Sequence, residues 1–181
     1  MAELSWPLER NRIRGAITNN AYGMVRNGGK KPHQGWDLEA QPGTPCYAIA
    51  DGEIVWANDL KKFGLTVILE LKHRGITYYA SYAHLMVRYV AKGLRVKRND
   101  MLGRTGQSGN AENQSLKEAH LHFGIHTTEF PLKWPTGWVD PARLYGVTPI
   151  NTTFVNHFDK SPKANGASGL LVPGVNVLER G

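Results

Sequence analysis

Cysteine is nearly absent from this chain, Cys46 being the single one. It has no internal partner, so a disulfide-stapled scaffold is excluded and packing must hold the fold. Long apolar runs are missing too. Stretches such as Leu65 to Leu69 stop after a handful of residues, far short of the roughly 20 needed to cross a bilayer. Met1 to Arg10 hold neither a basic segment running into an apolar stretch nor a small-residue cleavage site, so no general secretory signal is expected there. Helical periodicity is scarce and there is no internal repeat or low-complexity tract. Also missing is His-Glu-x-x-His, the helical motif that sets a Glu beside a metal as base.

The 181 residues suit one ordinary domain with a short appendage, since domains most often run about 100 to 150 residues. A core of this size buries roughly 70% of the surface that the unfolded chain exposes, so folding requires no structural metal and any metal site needs a chemical reason. Hydrophobic residues are 41% of the chain, with 20 Gly and 10 Pro, a turn-rich globular composition that excludes disorder, collagen and coiled coil. Lys and Arg number 22 against 15 Asp and Glu, a formal charge of +7, and the pI is about 9.6. Such a field draws polyanions, whether nucleic acid, anionic membrane or acidic cell wall, without choosing among them. Arg88, Lys92, Arg95, Lys97 and Arg98 cluster near Tyr89, but a solvated basic edge accounts for them, and no nucleic-acid partner is expected.

Short β-rich runs bounded by Gly, Pro, Asn and Asp recur through the middle of the chain. Expected strands are Cys46 to Ala50, Glu53 to Ala57, Leu65 to Lys72, Ile76 to Ser81, Leu94 to Val96 and His120 to His126, with turns at Asp51-Gly52, Phe63-Gly64 and Arg74-Gly75. Their short connections make most of them antiparallel, because parallel crossovers need a dozen or so residues. The fold class is therefore mostly β, a single small antiparallel sheet domain with long loops and few short helices. Residues 1–30 read as a loop-like segment packed on the domain, 31–150 as the domain and 151–181 as a flexible extension. Gly106 to Ala119 reads as a long loop with a helical turn near Asn113 to Glu118, and loops of that length are usually functional.

Chemistry concentrates in the histidines. In a strand, residues i and i+2 share a face, so His120 and His122 are neighbours while Leu121 and Phe123 point the other way. His126 has the same parity but lies about 13 Å beyond His122 at the usual rise per residue, too far to join a first shell. Zinc takes His nitrogen and carboxylate oxygen, and a catalytic site uses three protein ligands with the fourth position left to water. His33, Asp37 and one of the paired histidines would fill those places. Taken singly, each pattern has a plainer explanation: His-x-His as solvated histidines on an edge strand, His33 with Asp37 as a surface loop pair, His84 as a half-buried strand residue.

Taken together the pieces resemble a known plan. His33-Gln-Gly-Trp-Asp37-Leu38, Pro42 to Ala48 and Asp51-Gly52-Glu53-Ile54-Val55 are similar to the opening of the lysostaphin-type, LytM-like zinc endopeptidases. Tyr82-Ala-His84-Leu85 resembles that family's central histidine motif, Gly93 to Val96 and Asp100 to Gly109 its glycine-rich approach, His120-Leu-His122-Phe123 its closing pair and Val139-Asp140-Pro141 its finish. The resemblance covers roughly residues 31–145. It departs where Asn110 to Ala119 is interposed before His120, where Cys46 replaces a usual Val, and where Gly124 stands for a frequent Glu. For Cys46, a small buried strand residue is favoured over a fourth ligand or nucleophile.

The resemblance implies zinc on His33, Asp37 and His122, with His84 and His120 catalytic, in a groove over the sheet. It implies hydrolysis of peptide bonds in bacterial peptidoglycan, in stem-peptide cross-links or bridges. The expected protein is a monomeric hydrolase acting in the periplasm or cell wall, delivered by a specialised secretion system or by lysis as an antibacterial effector, with an immunity protein as inhibitor. A non-catalytic peptidoglycan-binding or regulatory module on the same fold is the alternative, and would require the 106–119 loop to occlude the groove.

Overall fold

The computed structural model describes residues 4–130 and 133–156. Fourteen strands are present among these: β1 (Arg10–Asn11), β2 (Gly23–Arg26), β3 (Lys31–His33), β4 (Trp36–Glu39), β5 (Pro45–Tyr47), β6 (Gly52–Asp59), β7 (Leu65–His73), β8 (Ile76–Ala83), β9 (Leu85–Arg88), β10 (Arg95–Val96), β11 (Met101–Thr105), β12 (His120–His126), β13 (Trp138–Val139) and β14 (Phe154–Val155). One short helix, α1 (Ala142–Tyr145), follows β13. The main sheet runs β10-β6-β7-β8-β12-β13, with β4 also paired to β12. A three-stranded sheet β5-β11-β9 and the pairs β2-β3 and β1-β14 complete the fold, and every pairing is antiparallel.

The central strands follow directly from their residues. His73 pairs with Ile76 across Arg74 and Gly75, whose φ values of 51° and 80° make the two-residue turn that matches strand twist. Along β12, Leu121, Phe123 and Ile125 are fully buried on the core side with Trp36 and Leu38 from β4 and Tyr82 from β8. The whole of β12 is buried because β4 and β13 share one of its edges while β8 covers the other.

Residues 4–30 are less loop-like than the sequence suggests. They contain β1, two 3-10 turns and β2, and insert Leu8 and Ile13 into the core. β1 pairs with β14, so residues 154–155 of the expected extension are also in a sheet. Residues 157–181 lie outside the described residues. The loop before β12 forms 3-10 turns at Gly109–Ala111 and Leu116–Glu118, the second closed by a capping box between Ser115 and Glu118. Gly124 needs its missing side chain: a Cβ there would lie 2.8 Å from the Trp138 ring and 2.9 Å from Ser81 Oγ.

Candidate active site

Register brings the site together. His122 lies directly opposite Asp37 on β4 and opposite Ala83 on β8, so a donor pair and the approach to His84 flank one position of β12. His33 ends β3 just before β4, and the β2–β3 hairpin sets Gly23 opposite His33. The 3-10 turn Thr18–Asn20 that precedes the hairpin ends at Ala21, whose carbonyl lies 2.8 Å from His33 Nδ1. An acceptor there puts the proton of neutral imidazole on Nδ1 and the lone pair on Nε2.

That lone pair faces Asp37 Oδ1 at 3.0 Å and His122 Nδ1 at 3.1 Å, and these two atoms are themselves 2.8 Å apart. A carboxylate has no proton to give, so at most one hydrogen, on His122 Nδ1, serves three mutual contacts. Such convergence of buried lone pairs is stable around a cation and poorly satisfied without one. His33, Asp37 and His122 are the cluster among the described residues able to hold a metal ion. The donor set suits zinc, whose ligands lie about 2.0–2.2 Å away. His122 Nε2 is also buried and has no hydrogen-bond partner in the structure.

His84 reaches the site by breaking strand alternation. In regular β structure it would share the core face with Tyr82. Instead it has φ 60°, the left-handed region that His tolerates better than most residues. The kink is held by His84 N–H donating to the Phe63 carbonyl (2.9 Å) and by Gly106 N–H donating to the His84 carbonyl (2.8 Å). The turned ring lies 5.1 Å from His120 and 6.0 Å from His122, centroid to centroid. Its Nδ1 donates to the Ser108 carbonyl at 2.9 Å, and His120 Nδ1 donates to the Glu118 carbonyl at 2.8 Å. Both therefore carry a lone pair on Nε2. His120 Nε2 is 3.5 Å from Asp37 Oδ1.

Electrostatics keep these rings neutral. Burial pushes the His122 pKa down to about 3, against the pull of the Asp37 carboxylate. Burial, then the neighbouring His120, lowers His84 to about 4, and burial lowers His120 as well. Asp37 is ionised, the upward push of burial being outweighed by the His122 and His33 rings around it. Its outer oxygen Oδ2 takes a 2.5 Å contact from Arg26 Nη2, which leaves Oδ1 for the donor cluster.

All five sequence-derived residues thus converge, and they line a cavity of about 530 Å³. Sequence reasoning missed Arg26, Arg14, Lys62 and the amides of Asn110 and Gln114, which line the same cavity. No motif announces them: the place of Arg14 and Arg26 depends on folding of the N-terminal segment, that of Asn110 and Gln114 on the inserted loop, and that of Lys62 on the turn between β6 and β7. The loop forms a wall of the cavity. Cys46 is fully buried away from the cavity and its thiol is pushed up to about 12 by burial, the state of an inert core residue. His126 stacks on Tyr79 and donates to the Thr128 carbonyl outside the cluster. The basic edge is interleaved with acids: Lys97 pairs with Asp51, Arg95 with Glu53 and Lys92 with Glu129.

A β-domain with buried His, Asp and His donors and two further imidazoles beside them is the frame of a zinc metallopeptidase. Peptidase family M23 matches residues 31–134, and the chain belongs to that family. It is 34% identical over 134 residues to the peptidoglycan DD-endopeptidase ShyC of Vibrio cholerae, covering 72% of this chain and 30% of that protein. The catalytic domain of the antimicrobial peptidase lysostaphin from Staphylococcus simulans superposes with a TM-score of 0.55 at 28% identity, covering 71% of this chain and 88% of that one. A zinc-containing peptidase from Vibrio cholerae gives 0.56 at 25% identity over 72% of this chain and 39% of that one. The chain spans 20–30% of the length of the first curated relatives it matches.

Proposed function

We propose that the protein is a zinc-dependent endopeptidase that hydrolyses peptide bonds in bacterial peptidoglycan. The observation that carries this is the convergence of His33 Nε2, Asp37 Oδ1 and His122 Nδ1 with two tautomer-fixed imidazoles at their side. His33, Asp37 and His122 would hold the metal. Zinc bound there supplies a Lewis acid and lowers the pKa of water towards about 7. His84 and His120, neutral and with Nε2 free of its own proton, can each accept a proton from attacking water. Once protonated, either can donate to the leaving amine. The Ser108 and Glu118 carbonyls hold both rings in the tautomer this requires. A non-catalytic module gains no support, since the donor set is complete and the 106–119 loop lines the cavity as a wall.

The finer reading places the cut in stem-peptide cross-links, as in the relatives named DD-endopeptidases, and makes the protein a delivered antibacterial effector restrained by an immunity protein over the groove. The site is complete within one chain, which supports action as a monomer. The test is mass spectrometry of fragments released from direct-linked and glycine-bridged sacculi, with and without chelator. Chelator-sensitive release of stem-peptide monomers is expected; full activity of metal-free protein would sink the reading. For the effector role, export to the producer's periplasm should be toxic unless an inhibitor is co-expressed, and harmless export of active protein would count against it.

A further inference from the structure

The cavity over the site has an uneven charge. Asp37 is its single acid, committed to the donor cluster and paired with Arg26. Arg14 and Lys62 also line it, and neither forms an ion pair with a carboxylate among the described residues. Lys62 is exposed on the short turn between β6 and β7. Arg14 is firmly mounted: Nη1 donates to the Glu118 carbonyl (2.7 Å), Nη2 to Asn20 Oδ1 (3.2 Å), and Asn20 Nδ2 donates back to the Arg14 carbonyl (2.8 Å). The nearest acid in sequence on that wall, Glu118, is turned to Ser115 in its capping box. A guanidinium has five N–H donors in a planar fork; here one on each Nη is taken and Nε is buried without a partner, which leaves the second N–H of Nη1 and of Nη2 for a ligand.

Its position fixes what it can read. Arg14 and His120 donate to the same Glu118 carbonyl, at 2.7 and 2.8 Å. The guanidinium is therefore two short hydrogen bonds from a proton-handling imidazole. An extended peptide advances about 3.3 Å per residue, so a group meeting Arg14 belongs to a residue at or next to the cleaved bond. A pre-oriented fork in a cationic cleft matches a carboxylate in two-point fashion.

We propose that Arg14 recognises a free carboxylate of the substrate peptide beside the bond to be cut, with Lys62 adding to the attraction, so that the groove selects carboxylate-bearing peptides over neutral glycine runs. This rests on the endopeptidase reading and names the substrate class for it.

The test uses matched peptides sharing one scissile bond, with a side-chain carboxylate or a terminal carboxylate near it, each beside its amide counterpart. The zinc-loaded full chain should cut one acid form about 10- to 100-fold more efficiently than its amide, the range expected of a charge-assisted contact, and the responding peptide identifies which carboxylate is read. Arg14→Gln should erase that preference, the acid peptide falling to the efficiency of its amide counterpart. Arg14→Lys should keep part of it, since a point charge replaces a fork. Equal cutting of acid and amide by the wild type overturns the proposal, as does an equal loss on both peptides in Arg14→Gln, which would mark a purely structural role. Should Arg14→Gln fold poorly, the wild-type preference and the Arg14→Lys variant still decide. If no peptide is cut, binding by fluorescence anisotropy separates the two readings: acid-selective binding lost in Arg14→Gln upholds recognition while hydrolysis falls, and unselective binding overturns recognition itself.

Discussion

Gly35 lies two residues from His33 and two from Asp37, with its back against β12. A Cβ built there would sit 2.3 Å from the Phe123 carbonyl oxygen, 2.9 Å from its carbon and 3.0 Å from Gly124 Cα, where ordinary contact is 3.4–4 Å. The obstacle is backbone, so no rotamer relieves it. In Gly35→Ala, β4 and β12 must separate by about 1 Å, several times the ~0.2 Å by which metal–ligand distances ordinarily vary. Because Asp37 and His122 are cross-strand partners, that gap opens inside the donor triangle. Overpacking alone costs about 1–3 kcal/mol. Disturbing groups that merely support a metal's ligands costs about 10–100-fold in affinity, so displacing the ligands themselves should weaken zinc binding at least ~100-fold. Zinc titration against a competing chelator, with thermal unfolding in parallel, reads both effects. Gly75→Ala is the control: nothing lies within 4 Å of its Cβ, but its φ is +80°, so it should lose stability and keep zinc. Gly35→Ala protein with wild-type zinc affinity and hydrolysis would refute the register argument.

Single replacements should divide the site into two classes. His122→Ala or Asp37→Asn loses zinc and hydrolysis together, whereas His84→Ala or His120→Ala retains zinc and loses about 10²–10⁴-fold in rate, as metal analysis alongside turnover would show. Acid should destabilise the metal-free protein. Burial depresses His84 and His126 to about 4 from about 6.5 in the unfolded chain. The unfolded state thus binds more protons between those values, and stability is full above pH 6.5 and falls on acidification towards 4. His126→Phe should flatten the dependence of Tm on pH in that window; an unchanged slope would remove His126 from the account. Cys46 should resist thiol reagents until the chain unfolds, and rapid labelling of native protein would contradict its burial.

The strands legible in the sequence are those whose own residues decide them. Leu65–His73 and Ile76–Ala83 extend the expected runs by one and two residues, and His120–His126 matches in full, because apolar and aromatic runs end at turn-forming glycine or a polar loop. β4 gave no signal, since Trp36, Asp37 and Leu38 are buried in succession and burial on both faces erases alternation. The two-residue strands β1 and β14 are defined by pairing between segments more than 140 residues apart, which local propensity cannot see. The histidine cluster was legible as a resemblance, and the proximity of His120 to His122 from strand parity alone. The face of His84 was not, because parity assigns it to the side of Tyr82.

That exception shows how the geometry of the proposed site depends on register. β12 supplies the proposed metal donor His122 and the proposed proton-handling His120 two residues apart, its two neighbours supply Asp37 and the approach to His84, and His33 comes from β3. Asp37 lies across one edge, and Ala83, one residue before His84, across the other. A strand repeats every two residues, so a slip by one would send His120 and His122 to the core and Leu121 and Phe123 to the cavity. The core therefore enforces the site: seating Leu121, Phe123 and Ile125 beneath the sheet excludes the slipped pairing. His33 is placed instead by the β2–β3 hairpin, and His84 falls outside strand register altogether. Its left-handed kink, fastened at Phe63, Gly106 and Ser108, takes the ring off the core face. The 60–64 and 106–109 loops must then meet closely, as they do where a Cβ on Gly64 would stand 2.4 Å from the Gly109 nitrogen. The register of β12 thus places three of the five residues, the β2–β3 hairpin places His33, and a contact between two glycine loops places His84.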